Sequence, residues 1–466
     1  MRGLLYMILS LLCLCGVQAC ISDDFTTSSA VRLGFSRDTV AFDTVFTDLG
    51  TPTARLKVFN REKKSVNISS IRFADEDTPF TLNVDGVSGR DFHDVEIRGG
   101  DSIFIFIECF LPETQASKPY RVEDKLQFVT NGTTQSVVVE AYGQNVTRLR
   151  NAEVTSDMTL TADRPYVIFD SLTVRKGATL RIEPGARLLF HDKGALVVEG
   201  TLEAIGEPGR LIELRGDRLD NVLPDVGYDI LSGQWRGVRI AADSYDNRME
   251  YCDMRSTSFG LRCDSTPDQE RTKLTLVNSW LHNSEGCALK TDYAKVRAYG
   301  CVFSEAGEAV VSITGGDAEF SQCTVSNYYL FALGAPLLKL GHAVPPAGAT
   351  PSGDERPLLR GHFDNGILYG MSASIVPGDL RDSGFFVRYT MLKEDGKDDD
   401  NFLHCLWGED PEFETVREDY YFNYHLKEGS PAIGAGNPAL VPPESEVDID
   451  GVPRENPPAL GAYSAP

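Results

Sequence analysis

Two hydrophobic rhythms divide the chain. From about residue 31 to residue 148, short stretches alternate apolar and polar residues: Arg55-Leu-Lys-Val-Phe-Asn60, Ser65-Val-Asn-Ile-Ser-Ser-Ile-Arg-Phe73, Lys125-Leu-Gln-Phe-Val129 and Ser136-Val-Val-Val-Glu-Ala-Tyr142. A period of two is that of a strand with one buried face. Ser102-Ile-Phe-Ile-Phe-Ile107 is a continuous apolar run and predicts a central strand. Asp85-Gly86, Gly99-Gly100 and Asn131-Gly132 punctuate the series, and Asn-Gly between two apolar runs is a strong hairpin signal. Seven or eight short strands at this spacing predict an immunoglobulin-like β-sandwich.

After residue 149 the rhythm becomes a repeat. Tyr251-Cys-Asp-Met254, Asn278-Ser-Trp-Leu281, Gly300-Cys-Val-Phe303 and Gln322-Cys-Thr-Val325 align at steps of 27, 22 and 22 residues. The longer first step holds a polar insertion near Ser265 to Lys273. Gly260, Cys287 and Ala309 repeat in the same phase, each followed by an apolar residue. A period near 22 with several short strands per unit predicts a parallel β-helix, whose coils stack because none can bury its own face. Strand alternation then turns Cys252, Ser279, Cys301 and Cys323 inward with Met254, Leu281, Phe303 and Val325. Asp253, Trp280, Val302 and Thr324 are expected to face outward. A leucine-rich horseshoe would need a Leu-x-x-Leu-x-Leu frame, which is absent.

The N-terminus has a third character. Met1-Arg2-Gly3 precedes an almost wholly apolar run from Leu4 to Leu14, then Val17-Gln-Ala-Cys20 and Ile21-Ser-Asp-Asp24. One positive charge, a short apolar stretch and a small-residue site form a secretory address, too short to span a bilayer. Composition narrows the partners. The 466 residues carry 45 Lys and Arg against 68 Asp and Glu, a formal charge of −23, which disfavours nucleic acid and anionic lipid. Of ten Cys, seven remain beyond residue 20, with no C-x-x-C pair and no His at metal-ligand spacing. They are expected to be small apolar core residues, so no metal and no cofactor is expected.

Four resemblances sharpen this. Val17-Gln-Ala-Cys20 resembles the bacterial lipobox, which implies cleavage before Cys20, lipidation of Cys20 and membrane attachment through acyl chains. Removal of Arg2 would take the charge to −24. The acidic residues that follow resemble the export signal of surface lipoproteins in Bacteroidota, implying an outer-membrane lipoprotein at the cell surface, with a periplasm-facing protein as second choice. Phe59-Asn60, the Phe-rich strand and Ala141-Tyr-Gly143 resemble ASH-like sandwich domains of bacterial envelope proteins. Ile182-Glu-Pro-Gly185, Gly200-Thr-Leu202, Trp235-Arg-Gly-Val238 and the closing Gly429-Ser-Pro-Ala-Ile-Gly-Ala-Gly436, Asp448-Ile-Asp-Gly451 and Leu460-Gly-Ala-Tyr463 resemble the right-handed parallel β-helix repeat proteins, pectate-lyase-like in fold. The expected order is a signal peptide (1–19), a lipidated acidic tether (20–30), an immunoglobulin-like β-sandwich (31–148) and a right-handed parallel β-helix (149–466).

No catalytic set stands out in the linear sequence. The carboxylate, Gly-His-Gly and Arg-Ile-Lys elements of polygalacturonase-type helices are missing, and Gly361-His362-Phe363 is a poor partial match. Asp243, Asp246 and Asp253 cannot be placed on one face from spacing alone. Asp398-Asp399-Asp400 lacks the spaced, Gly-turned frame of a calcium loop. Trp235 belongs to a fold element and is expected to pack. Exposed aromatics can stack on sugar rings: Trp280, outward in this phase, and Trp407 are the candidate ligand-binding residues, ahead of Tyr328, Tyr329, Tyr420 and Tyr421. The leading expectation is a non-catalytic envelope lipoprotein whose β-helix binds polysaccharide or another envelope component. The alternatives are a polysaccharide lyase or glycoside hydrolase acting on acidic polysaccharide, and an architectural or adhesive surface protein.

Overall fold

The computed structural model describes residues 24–466 apart from 52, 117, 224–225, 267, 269, 330–333, 342–357, 378–379, 381–383 and 419–420. Cys20 and the address before it, Tyr420 and the stretch 345–357, rich in Pro, Gly and Ala, lie outside the described residues. The chain divides into two compact units between Asn145 and Val146. The division comes slightly before the expected 148/149, because Thr147–Val154 already pairs in parallel with Tyr166–Val174 inside the second unit. Among the described residues, no helix is long and apolar enough to cross a membrane.

The first unit is a sandwich of two sheets. One orders Gly34–Phe35, Ala54–Phe59, Ser102–Cys109, Phe80–Val84 and Val87–Gly89; the other is built on Thr39–Phe46, Thr133–Gln144, Tyr120–Thr130 and Val66–Phe73. The Asn131-Gly132 turn closes the long hairpin at Thr130↔Thr133, with φ of +49° and +76° as the tight turn requires. Asn60 is buried and staples the sandwich, its Nδ2 donating to the carbonyls of Lys64, Ile97 and Arg98. Ser102–Cys109 is central as expected but not wholly buried. Ile105 and Ile107 point into the core, while Phe104 and Phe106 lie on the outer face with Lys57 and Arg55 beside the Phe104 ring.

The second unit is a three-sided parallel β-helix. One face stacks Ala195–Val198, Gly237–Ile240, Leu261–Cys263 and the first halves of Leu289–Tyr299 and Val311–Ser321. A second stacks Thr179–Ile182, Thr201–Ile205, Asn247–Glu250, Leu274–Val277 and the second halves of those two long strands. The third stacks Arg187–Phe190, Ile212–Gly216, Cys252–Thr257, Trp280–Ser284, Val302–Ser304, Thr324–Asn327, Ile367–Gly370, Met391–Leu392 and Leu406–Trp407. The repeat inferred from sequence is the register of this third face. Cys252, Ser279, Cys301 and Cys323 are fully buried beside the inward column Met254, Leu281, Phe303 and Val325. All seven Cys from Cys109 onward are free, and six are buried.

Left-handed bends bound the third face. Tyr251, Asn278, Gly300 and Gln322 precede it with φ of +47°, +42°, +64° and +56°, and Ser256, Asn283 and Glu305 close three of its strands with +66°, +52° and +43°. Asn and Gly adopt this conformation at little cost; Tyr, Gln, Ser and Glu do so only where packing holds them there.

The outward side of this face differs from expectation. Val302 and Thr324 point away from the helix interior but are buried, because the segment 413–463 folds back over them. Phe413, Tyr424, Leu426, Ile449, Leu460 and Tyr463 pack on Val302, Ile367 and Met391 in a separate apolar core. Phe413–Glu418 and Tyr421–Leu426 form a hairpin within this cover. Asp448 of the closing motif is structural, accepting from the amides of Asp450, Val452 and Ser464.

Candidate functional site

The cover leaves part of the third face open, and a cleft of about 200 Å³ lies there. Its base is built from outward positions of adjacent coils. Glu213 pairs in register with Asp253, and Asp253 with Trp280; two residues on, Arg255 pairs with His282. One wall is the Tyr228–Ile230 turn, contributing Asp229 and Ile230; the other is the covering hairpin, contributing Tyr421 and Phe422. The turn is tied down by two side chains at left-handed bends. Ser256 Oγ donates to the Asp229 carbonyl at 2.8 Å and Asn283 Nδ2 to the same oxygen at 3.2 Å.

The side chains at the base form one charged network. Asp253 Oδ1 lies 3.0 Å from His282 Nε2, and Asp253 Oδ2 takes a hydrogen bond from Arg255 Nη1. Arg255 Nη2 reaches Glu213 Oε1 at 2.6 Å, and Arg187 Nε reaches Glu213 Oε2 at 2.6 Å. Burial alone would raise the Asp253 carboxyl, but the His282 hydrogen bond and the Arg255 charge hold it at about 2. Asp253 is therefore ionised and can only accept, so His282 donates from Nε2, and in the neutral imidazole Nδ1 then carries the lone pair. The Trp280 ring lies on the imidazole, centroids 4.7 Å apart at 27°, and its Nε1 is anchored on Ser304 Oγ at 3.3 Å. Both Arg215 Nε and Arg255 Nε are buried without an acceptor.

A second carboxyl differs from Asp253. Glu305 is buried where the cleft meets the cover, and burial pushes it up to about 7 despite hydrogen bonds from Ser304 and Tyr424. Two carboxyls driven in opposite directions within one cleft are the raw material of acid–base chemistry.

The cleft contains one residue of the sequence-based ligand pair. Trp280 sits at its base. Trp407 does not join it: it follows Leu281, Phe303, Val325, Leu368 and Leu392 in the inward column of the third face. Its ring packs against Phe402 and over Gly396, and Nε1 donates to Asp398. Trp407 therefore closes the end of the interior stack, about 24 Å of coil spacing from Trp280. Tyr421 reaches the cleft, whereas Tyr328 packs beneath the cover. Trp235 is buried against Phe190 at 4.0 Å, as a packing residue should be. Asp243 pairs with Lys176 and Asp246 with Arg271, away from Asp253. Among the described residues, no cluster of His, Cys, Asp and Glu is placed to hold a metal ion.

Sequence reasoning missed His282, Arg255, Glu213 and Glu305. The signal for two of them was present: the 27-residue step that carries Asp253 onto Trp280 also carries Arg255 onto His282.

Comparison with known proteins adds little at this level. No protein family is matched by the chain. The curated Drosophila melanogaster "Protein bark beetle" is 34% identical over 110 residues, 23% of this chain and 3% of that protein. Among solved structures, the catalytic unit of a GH87 α-1,3-glucanase from Streptomyces thermodiastaticus covers 76% of this chain and 75% of its own, at 9% identity and a TM-score of 0.23. A family 123 glycoside hydrolase from Clostridium perfringens covers 24% and 26%, at 10% identity and a TM-score of 0.18. A protein of unknown function from Porphyromonas gingivalis covers 27% and 60%, at 12% identity and a TM-score of 0.19. Likenesses this slight carry no argument about function, which rests on the cleft itself.

Proposed function

We propose that the protein cleaves an acidic polysaccharide in this cleft, with His282 as the base. The observation that carries the reading is the oriented Asp253–His282 pair, set beside Arg255 at the base of the cleft. Both oxygens of Asp253 are engaged, so this carboxylate is not free to act as a nucleophile. The free Nδ1 of His282 is the available base, which favours elimination: the imidazole removes the proton α to a uronate carboxylate, and the glycosidic bond to the neighbouring sugar breaks. Arg255, paired with Asp253 and Glu213, keeps a guanidinium at the base of the cleft beside that step. Trp280 offers an apolar ring edge against which a sugar can rest.

Purified protein should generate ultraviolet-absorbing unsaturated ends from a uronate-containing polysaccharide, and His282→Ala should abolish them. New reducing ends without unsaturation would make the protein a hydrolase. Retention on immobilised polysaccharide with no turnover would return it to a binding protein. We propose further, from the lipobox-like Val17-Gln-Ala-Cys20, that the protein is a cell-envelope lipoprotein anchored through Cys20. Palmitate labelling should mark the protein and miss the Cys20→Ala variant; equal label in both would remove the anchor. Protease shaving of intact cells separates surface display from a periplasm-facing position.

A further inference from the structure

Glu305 has features that a packing role does not explain. It directly follows the strand Val302–Ser304, held at φ +43°, a conformation for which glutamate has no preference. Its side chain is almost fully buried at the junction of the cleft and the covering hairpin. Oε1 accepts a hydrogen bond from the Tyr424 hydroxyl, whereas Oε2 is buried without a well-aligned hydrogen bond, and the carboxyl has donors but no cation beside it. A structural carboxyl in such a place would be paired with a cation, as Asp253 is with Arg255, or replaced by an amide able to satisfy the site. Tyr424 is itself fixed edge-on against Phe413 at 5.0 Å and stacked near Phe422, which forms part of the cleft wall.

Resting on the elimination reading, we infer that Glu305 is the proton donor to the departing glycosidic oxygen, with Tyr424 as the residue that positions it. In the step, His282 Nδ1 takes the proton from the carbon α to the uronate carboxylate. The electron pair of that C–H bond becomes the new C=C bond, the C–O bond breaks, and the oxygen keeps its pair and receives the proton of Glu305. The enzyme is left with protonated His282 and ionised Glu305; proton exchange with water restores both, and nothing else is consumed. The groups that bear on Glu305 fit this role. Tyr424, Ser304 and the backbone amides of Glu305 and Tyr328 donate to it, and the charge of Asp253, which lines the same cleft, is balanced by Arg255. A protonated carboxyl is thus stable there up to about neutral pH.

The test compares wild type, Glu305→Gln and Tyr424→Phe on polysaccharide and on a uronide with an activated aryl leaving group at the cleaved bond. Glu305→Gln should lower kcat on polysaccharide by roughly 100-fold or more with KM little changed, and lower it far less on the aryl substrate, which needs no proton. Wild-type kcat/KM should fall on the basic side near pH 7. That limb should vanish in Glu305→Gln and move to higher pH in Tyr424→Phe, which removes a hydrogen bond that favours the ionised carboxyl. Equal losses on both substrates, or an unmoved limb, would overturn the assignment while leaving the elimination reading intact. A wild type with no turnover on either substrate would overturn that reading, and this assignment with it. The wild-type pH profile and Tyr424→Phe decide the matter even if Glu305→Gln does not fold.

Discussion

The burial of Glu305 has a consequence for stability that needs no substrate. Folding raises this carboxyl from 4.5 to about 7 because burial disfavours its charge. A group whose folded value lies above its unfolded one costs nothing below the unfolded value, where it is protonated in both states. As pH rises from about 4.5 to 7 the unfolded chain ionises first, and stability falls; above 7 both states are ionised and the loss levels off. The interval corresponds to about 3 kcal/mol, a large part of the stability of an ordinary domain. Glu305→Gln cannot ionise and should escape the loss. The assay is urea unfolding followed by tryptophan fluorescence at pH 5 and pH 8.5. Trp235, Trp280 and Trp407 all belong to the second unit, so the signal reports the β-helix and not the sandwich. The quantity to compare is wild type minus variant, in which the other titrating groups cancel. Wild type should lose about 3 kcal/mol relative to the variant between the two pH values. A difference that changes by less than about 1 kcal/mol would refute the idea that Glu305 ionises in a water-poor site.

Three further outcomes are expected. Asp253→Asn should present an amide N–H to His282 Nε2 and force the proton onto Nδ1, so kcat should drop by about a thousand-fold or more with KM nearly constant, measured by initial rates on polysaccharide. Lys273 is fully buried with its ammonium donating to the carbonyls of Ala241, Ala242 and Ser244. Lys273→Met should strip the Ala242 and Ser244 carbonyls of this donor, while Ala241 keeps the Ser244 amide, and cost about 2–4 kcal/mol by the same unfolding assay. Trp407→Ala should open the end of the interior stack and cost about 2–4 kcal/mol while leaving turnover unchanged; a selective loss of polysaccharide binding would restore Trp407 to the ligand site.

The stack was legible because a β-helix writes its register into the sequence. Cys252, Ser279, Cys301 and Cys323 occupy one column, and the steps between them are the coil lengths. The small column and its inward partners follow from alternation alone. The site was legible only in part. Asp253 and Trp280 lie on the outward side as their phase implies, but Glu213 comes 40 residues before its ladder partner Asp253, across the segment that builds the cleft wall. No local period survives such an interruption. The cover was invisible for a different reason. Phe413 and Tyr424 alternate like any strand pair, and nothing nearby in sequence says that they pack on Val302, over 100 residues away. Ser102–Cys109 shows the converse: an unbroken apolar run hid an alternation in which Phe104 and Phe106 face out.

A stack of coils is ordinarily free to change length, since each coil touches only its neighbours. The fold-back of 413–463 removes that freedom here. Asn278 Nδ2 donates to the Val447 carbonyl at 3.1 Å, Asn365 Nδ2 to that of Asn437 at 2.9 Å, and Thr324 Oγ1 accepts from the Ala462 amide at 3.0 Å. The segment thus measures a fixed span along the helix, like a brace cut to length. Adding or deleting one coil beneath it would shift every anchor by about 4.8 Å and carry Tyr421 and Phe422 off the cleft they wall. Insertions should be tolerated where they leave the coil count unchanged, as loops at the bends, and the solenoid should behave as one cooperative body of set length.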